Sequence, residues 1–337
     1  MGNVAHLLGR KLITACAMAL LLSVVVFIVL RMIPSDPLAM MLPPSATQAD
    51  IDIVRKELGL DGSIFQQYVV WLGHALQGDL GRSIFFRESV VSLLLTALPP
   101  TLELVLVSLV MALLISIPGG VLLYKLERRR GEMLADFVLV FLLSVPSFLW
   151  GIILIVVFGV IFPILPFMGR LDPEFSVNAI TGFALIDTVL QGEWRAWLDA
   201  FSHLILPAFA LALSFSPIIV RVLRSSLLDT ATAQYVNVAR LRGQSEWRVL
   251  VHHMFKNAAL PTLTLIGVQF GFLFGGTLLI EVIFSFPGIG NLMVQAIKNF
   301  DLPLIQGVAL VFCLMVLVVN FCIDGLYAVL DPRLRTS

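Results

Sequence analysis

The chain has 337 residues, 59% of them apolar and only 13% charged, with a mean hydropathy of +0.98. A soluble domain carries roughly 25% charged residues, so composition excludes a soluble fold and points to an integral membrane protein. The formal net charge of zero argues against a nucleic-acid partner.

In chain order, Arg10-Lys11 precede an apolar run at 12–30, about the length that spans a bilayer. A signal peptide begins in the same way, but its apolar core is shorter and a small-x-small cleavage site follows. Here Arg31-Met32-Ile33-Pro34 follows, so the run reads as an uncleaved first helix. Residues 32–98 are mixed in character. Pro34-Ser35-Asp36-Pro37 and Pro43-Pro44 break the chain, 50–58 reads as a short surface helix, and Gly78 to Ser83 reads as a turn. This segment is too polar for lipid and too long for a linker, and is expected to form a small external subdomain.

Five more apolar runs, at about 99–124, 136–162, 204–228, 259–283 and 305–330, bring the expected crossings to six and put both termini on one side. Only helices fit, because the runs exceed barrel strands in length and lack two-residue alternation. The expected organisation is therefore 1–31, terminus and first helix; 32–98, external; 99–330, helical core; and 331–337, tail. Arg10, Lys11, Lys125, Arg128, Arg129, Arg130, Arg221, Arg224, Arg240, Arg242, Arg248, Lys256, Arg333 and Arg335, 14 of the 22 Lys/Arg, fall on one side. The positive-inside rule makes that side, with both termini, cytoplasmic.

The one long polar stretch, 229–261, with a loop at 229–258, lies on the same side. Before Gly243, 231–242 has the composition of a short helix, which glycine can end in the left-handed conformation. Ser245 then reads as an N-cap with Glu246 in the first turn. Trp247, Leu250, Val251, Met254 and Ala258 share one helical face, with Arg248, His252 and Lys256 opposite. Two short helices on a chain otherwise buried in lipid suggest a docking element for a soluble partner.

Prolines interrupt the spans at Pro118, Pro146, Pro207, Pro217 and Pro261, and glycines at Gly119, Gly120, Gly151, Gly271, Gly275 and Gly276. Proline removes a helix bond and glycine admits a close neighbour. Hinges in moving helices, notably at Pro146, Pro207 and Pro217, and plain tolerance of these residues in lipid are both open readings. Gly275-Gly276 reads as the packing site.

None of the five lysines follows a glycine, so the chain lacks the Gly-Lys-Ser/Thr of a phosphate-binding loop and any ATP must be hydrolysed by a partner. Glu103, Glu281 and Asp324 are too scattered for a proton relay. For Asp324 a helix-packing hydrogen bond is favoured over ion transfer. Arg221 and Arg224 read as snorkelling to headgroups. No metal site is expected: His252 and His253 are adjacent and diverge on a helix, and Cys16, Cys313 and Cys322 lack CxxC spacing and read as small buried hydrophobes.

The polar stretch resembles the cytoplasmic loop of ABC importer permeases, whose pattern runs Glu-Ala-Ala, then Gly, then Leu-Pro. Ala239, Gly243, Leu260 and Pro261 match, whereas Asn237 and Val238 depart. The form Tyr235-x-x-x-Ala239-Arg240-x-Arg242-Gly243 is similar to that of peptide-type permeases. Further segments resemble the dipeptide/oligopeptide permeases, in particular the subunit with a long external loop after its first helix. They include Arg31 to Pro37, Gly78 to Ser83, Leu98 to Glu103, Thr181-Gly182-Phe183 with Leu185-Ile186-Asp187, His203 to Ala208, Glu281 to Gly290, and Asp331-Pro332-Arg333.

The resemblance implies an all-α type I permease fold of six helices with a cytoplasmic coupling loop in a bacterial inner membrane. It implies a second homologous permease as partner, two cytoplasmic ATPases that bind the ATP and magnesium, and an extracytoplasmic substrate-binding protein, with no cofactor in this chain. Tyr235, Asn237, Ala239, Arg240, Arg242, Gly243, Arg248, Leu260 and Pro261 then form the coupling site, Ala239 and Gly243 by close docking and the arginines by charge. Topology and anionic headgroups remain an alternative account of those arginines. Peptides are the expected cargo, with nickel complexes or glutathione on the same machinery as alternatives. The rival from another class is a proton-coupled carrier.

Overall fold

Apolar runs of this length fold as helices because hydrocarbon offers backbone N–H and C=O groups no partner but each other. A computed structural model describes residues 2–32 and 62–330. Its helices are α1 (Gly2–Met32), α2 (Ile64–Leu76), α3 (Val90–Leu126), α4 (Glu132–Ser144), α5 (Ser147–Ile161), α6 (Ala184–Leu190), α7 (Trp194–Ala231), α8 (Gln234–Leu241), α9 (Glu246–Ile283), α10 (Ile289–Lys298) and α11 (Leu302–Leu330). Five of them (α1, α3, α7, α9 and α11) are long and apolar enough to cross a membrane, and α4 with α5 makes a sixth crossing if the bent pair is one span. The Pro34–Pro44 region, the helix expected at 50–58, the 331–337 tail and the Asp324 side chain lie outside the described residues.

The span expected at 136–162, with Pro146 interrupting it, is the bent pair of α4 and α5. It breaks between Ser144 and Ser147 and turns through 97°. Pro146 causes this, because its ring disfavours helical geometry in the residue before it, and Val145 is accordingly extended at φ −95°, ψ 120°. The Trp150 indole N–H reaches back across the break to the Leu142 carbonyl at 3.4 Å, and its ring meets Phe141 edge-on. Pro207, Pro217 and Pro261, by contrast, sit inside unbroken helices.

Contacts divide the chain into two units, Met1–Thr101 with Pro287–Ser337, and Leu102–Phe286. In the second unit α7 is the central element, fully burying Leu204, Leu206, Leu211, Ile219, Leu223 and Leu227. Close approach to it is made at Gly119 and Gly120, where a Cβ would lie 3.0 Å from Val220 and 2.7 Å from Leu223. The expected packing site at Gly275-Gly276 is corrected: a Cβ on Gly275 would meet nothing within 4 Å, and one on Gly276 would make ordinary contact.

The first unit packs Val90, Leu94 and Ala97 of α3 against Ile289, Leu292 and Ala296 of α10 and Leu304, Ile305 and Val308 of α11. Asp301 ties it together. Its carboxylate accepts the Ser83 hydroxyl and the Phe85 amide (3.0 Å) and caps α11 through the Leu304 amide (3.3 Å), so the turn at Gly78 to Ser83 is an anchor for α11. Thr101 Oγ1 accepts the Ile289 amide at 2.8 Å. Cys16 and Cys322 are exposed on their helices and Cys313 is half-buried, so burial does not explain the first two.

Candidate functional site

The polar stretch between α7 and α9 folds as an elbow. Helix α8 closes on Gly243, whose φ is +73°. The Gly243 N–H donates to the Arg240 carbonyl (2.9 Å) and the Gln244 N–H to the Ala239 carbonyl (3.3 Å), the bond pair that ends a helix on a left-handed residue. Ser245 opens α9 in extended geometry, but its hydroxyl makes no capping bond. Glu246 instead reaches back across the turn to Arg240 at 3.1 Å.

Inside the elbow, Val236 and Ala239 of α8 pack on Val249, Leu250, Met254 and Ala258 of α9 and on Leu223 and Leu227 of α7. The face expected to bury Trp247 and Val251 is rotated: they are 63% and 40% exposed, while Val249 is fully buried. The reason lies in the backbone. Val249–Met254 is a π turn, wider than an α turn, and it shifts the register so that the buried positions run 249, 250, 254 and 258. Two side-chain bonds fix the edges, His253 Nε2 with Gln244 Oε1 (2.8 Å) and Asn257 Nδ2 donating to the Tyr235 hydroxyl (2.8 Å). Lys125 lies 5.1 Å over the Trp247 ring, within cation–π reach.

The structure thus gathers Tyr235, Asn237, Ala239, Arg240, Arg242, Gly243 and Arg248 on one elbow, while Leu260 and Pro261 lie further along α9. Tyr235, Asn237, Arg242, Gly243 and Arg248 are exposed, and Arg240 is half-buried. Ala239 is the correction. At 4% exposure it belongs to the elbow's interior and offers a partner no surface. In its place the elbow presents Val238 (46% exposed), Leu241 (87%) and Trp247. The sequence carried a signal for this, since Tyr235, Val238 and Leu241 recur every third residue on the side of α8 away from Val236.

Two charged groupings were not foreseen. Arg224 does not snorkel as expected. Its guanidinium bonds Glu127 (2.6 Å), Asp136 (2.8 Å) and Glu132, joining the end of α3, the start of α4 and the C-terminal part of α7. The second is the loop before α6. Glu103, 4% exposed, pairs with Arg170 at 2.6 Å and accepts the Ala184 and Leu185 amides at the start of α6 (3.3 and 2.7 Å). Asp187, 2% exposed, accepts the Ile180, Thr181 and Gly182 amides and the Thr181 hydroxyl at 2.6–3.2 Å. Burial pushes the Asp187 carboxyl up, but these four bonds outweigh it and hold the group below its ordinary value. That is the physical content of the Thr181-Gly182-Phe183 and Leu185-Ile186-Asp187 segments.

The family described as binding-protein-dependent transport system inner membrane component matches residues 116–336, and its N-terminal companion matches 4–105. The chain is 39% identical over 313 residues to the di/tripeptide transport system permease protein DppB of Pseudomonas aeruginosa, covering 92% of each chain. It is 35% identical to the dipeptide permease DppB of Escherichia coli K12, over 93% of this chain and 94% of that one. It is 34% identical to the oligopeptide permease AppB of Bacillus subtilis, over 97% and 98%. Among solved structures, an inward-facing methionine ABC transporter, MetNI, aligns with a TM-score of 0.54 at 16% identity, over 71% of this chain and 96% of its own. At that identity the likeness speaks for the fold.

Proposed function

The chain belongs to the binding-protein-dependent transport inner membrane components, as a multi-pass permease of the ABC importer kind, and on that premise we propose that it imports di- or oligopeptides through a path shared with a second permease. The names of the 34–39% identical relatives support peptides as cargo. The elbow supports the way energy enters. A chain without a phosphate-binding loop has to be moved by something else, and the elbow is a packed body joined directly to two long helices.

In this reading the elbow and both termini face the cytoplasm, and two ATPases bind the ATP and magnesium. Each ATPase holds one permease elbow in a surface cleft. Tyr235, Val238, Leu241 and Trp247 supply apolar contact, and Asn237, Arg242, Gly243 and Arg248 the polar surface around them. When ATP closes the ATPase pair, each elbow moves as one piece, because Val236, Ala239, Val249, Leu250 and Met254 lock its two halves. The displacement passes into α9 without a joint, since α9 runs unbroken from Glu246 to Ile283, and into α7 through Leu223 and Leu227. An extracytoplasmic binding protein delivers the peptide at the far side.

The observation that carries this is an apolar, charge-rimmed surface on a helix pair continuous with the spans. The test is peptide uptake by the full assembly reconstituted in liposomes with its ATPases and binding protein. Uptake should require ATP, fall with vanadate and persist with a protonophore. Uptake by this chain alone, or loss on collapse of a proton gradient at constant ATP, overturns the proposal.

A further inference from the structure

Composition places the whole of 32–98 outside the bilayer, yet α2 differs from its surroundings. Its 13 residues, IFQQYVVWLGHAL, include no Asp, Glu, Lys or Arg. Helix α2 crosses α1 within the spanning segment Ile13–Leu30. The Tyr68 hydroxyl meets Ser23 Oγ at 2.8 Å, and the Tyr68 and Trp71 rings close over Phe27 at 5.4 and 5.8 Å, leaving it 1% exposed. Ser23 lies well short of the Leu30 end of the span, about 10 Å along the axis at roughly 1.5 Å per residue. A helix seated there lies beneath the surface of the hydrocarbon.

The exposed surface of α2 is largely apolar as well. Ile64, Phe65, Val69, Val70 and Leu76 are 51–80% exposed. A surface helix in water turns charged or polar residues outward, and one whose outward residues are mostly large and apolar needs an apolar surrounding. The ends of α2 fit such a place, because each satisfies part of its own terminal backbone. At the start, Ser63 and Gln66 form a reciprocal capping box. At the finish, Gly78, with φ +85°, donates to the Ala75 carbonyl (3.0 Å) and Asp79 to that of His74 (2.9 Å), again the bond pair of a left-handed helix stop. A helix that leaves few terminal groups for water tolerates lipid. At about 20 Å it is too short to cross.

We propose that α2 is a membrane-embedded strut, lying in the leaflet at the Leu30 end of α1 with Ile64, Phe65, Val69, Val70 and Leu76 against lipid acyl chains. Its Tyr68–Trp71 side braces α1, and the Gly78 stop returns the chain to water before the Ser83–Asp301 anchor. The inference rests on α1 spanning the membrane and not on the transport reading, so either can fail without the other.

The test uses the full chain, assembled with its partner subunits in nanodiscs, with Cys16, Cys313 and Cys322 replaced by alanine. A bimane label is placed at Val69→Cys, or at Phe65→Cys should the first variant not accumulate, and at Asp79→Cys for reference. The Val69 or Phe65 label should lose fluorescence with acyl-brominated lipid and resist aqueous iodide, and the Asp79 label should do the reverse. Iodide quenching at Val69 or Phe65 equal to that at Asp79 places the helix in water and overturns the proposal. A label that neither quencher reaches shows protein covering that face, which overturns it equally.

Discussion

At the elbow, irregular backbone is held by an apolar interior, and its few polar bonds lie at the rim, as with Arg240 and Glu246 at 32% and 72% exposure. In the loop before α6 the arrangement is reversed: two carboxylates buried to 2–4% exposure accept backbone amides and the Thr181 hydroxyl. Apolar packing is non-directional, so the elbow coheres as a body while its outer surface stays free for a partner. Buried carboxylates with many donors are directional and costly to disturb, so they fix a loop in one shape. The first region suits transmission of force and the second suits a fixed rim.

The largest effect expected from this contrast is at Gly243. A side chain there projects into open space, so Gly243→Trp adds bulk to the proposed docking surface without disturbing the interior. Uptake should be abolished with the amount of protein in the membrane unchanged. The left-handed φ adds a strain of about 1–2 kcal/mol for a residue with a Cβ, and Gly243→Asn controls for it, because asparagine tolerates that conformation. Gly243→Asn should retain most uptake; if both variants are equally dead, strain rather than docking is the cause.

Next is Asp187. Asp187→Asn replaces an acceptor that serves four donors with an amide whose NH2 group must face some of them, at a cost of about 1–3 kcal/mol. Protease nicking within 172–183 of the purified permease should reveal the loosened loop. The wild-type loop should also resist acid. Because the folded carboxyl sits below its ordinary value, its stabilisation is complete above the unfolded value of about 3.9. It is lost only as pH falls through the lower folded value. No increase in nicking is therefore expected between neutrality and about pH 5; onset within that range contradicts the assignment.

Much of the elbow was legible in sequence because its signals are local. Gly243 followed by Ser245-Glu246 marks a stop and a start, and Arg248, His252 and Lys256 mark the exposed face. What misled was register. Sequence period assumes α turns throughout, and the π turn at Val249–Met254 exposes Trp247 and buries Val249. The break at Pro146 was legible as a special residue, but its 97° bend depends on Val145 turning extended and on Trp150 folding back. Least legible were the carboxylates. Glu103, Asp187 and Asp301 are single acids in apolar surroundings, and what each accepts is decided by folding, with Asp301 and Ser83 more than 200 residues apart.

Arg224 tests the same contrast at an intermediate position. Its three carboxylates are 25–45% exposed, so solvent shields part of the repulsion released when the guanidinium is removed. Arg224→Gln should lower the permease's unfolding free energy by about 1–2 kcal/mol, read by thermal denaturation in detergent. Arg224→Lys should recover only part, since an ammonium keeps the charge but cannot reproduce the fork that reaches Glu127 and Asp136 together.

The smallest effect is expected at the Arg240–Glu246 pair, and its size separates packing from charge as the cement of the elbow. Both side chains reach solvent, so a double-mutant cycle with Arg240→Gln and Glu246→Gln should give a coupling of about 0.2–1 kcal/mol, shrinking with salt. Leu250→Ala in the adjoining interior should by comparison cost about 2–5 kcal/mol, since it opens a cavity among Leu223, Val236 and Met254. Should the ion pair prove as costly to break as the leucine is to truncate, the elbow is held by its rim, and its two halves would part when a partner binds Arg240. It could then no longer carry displacement into α7 and α9 as one body.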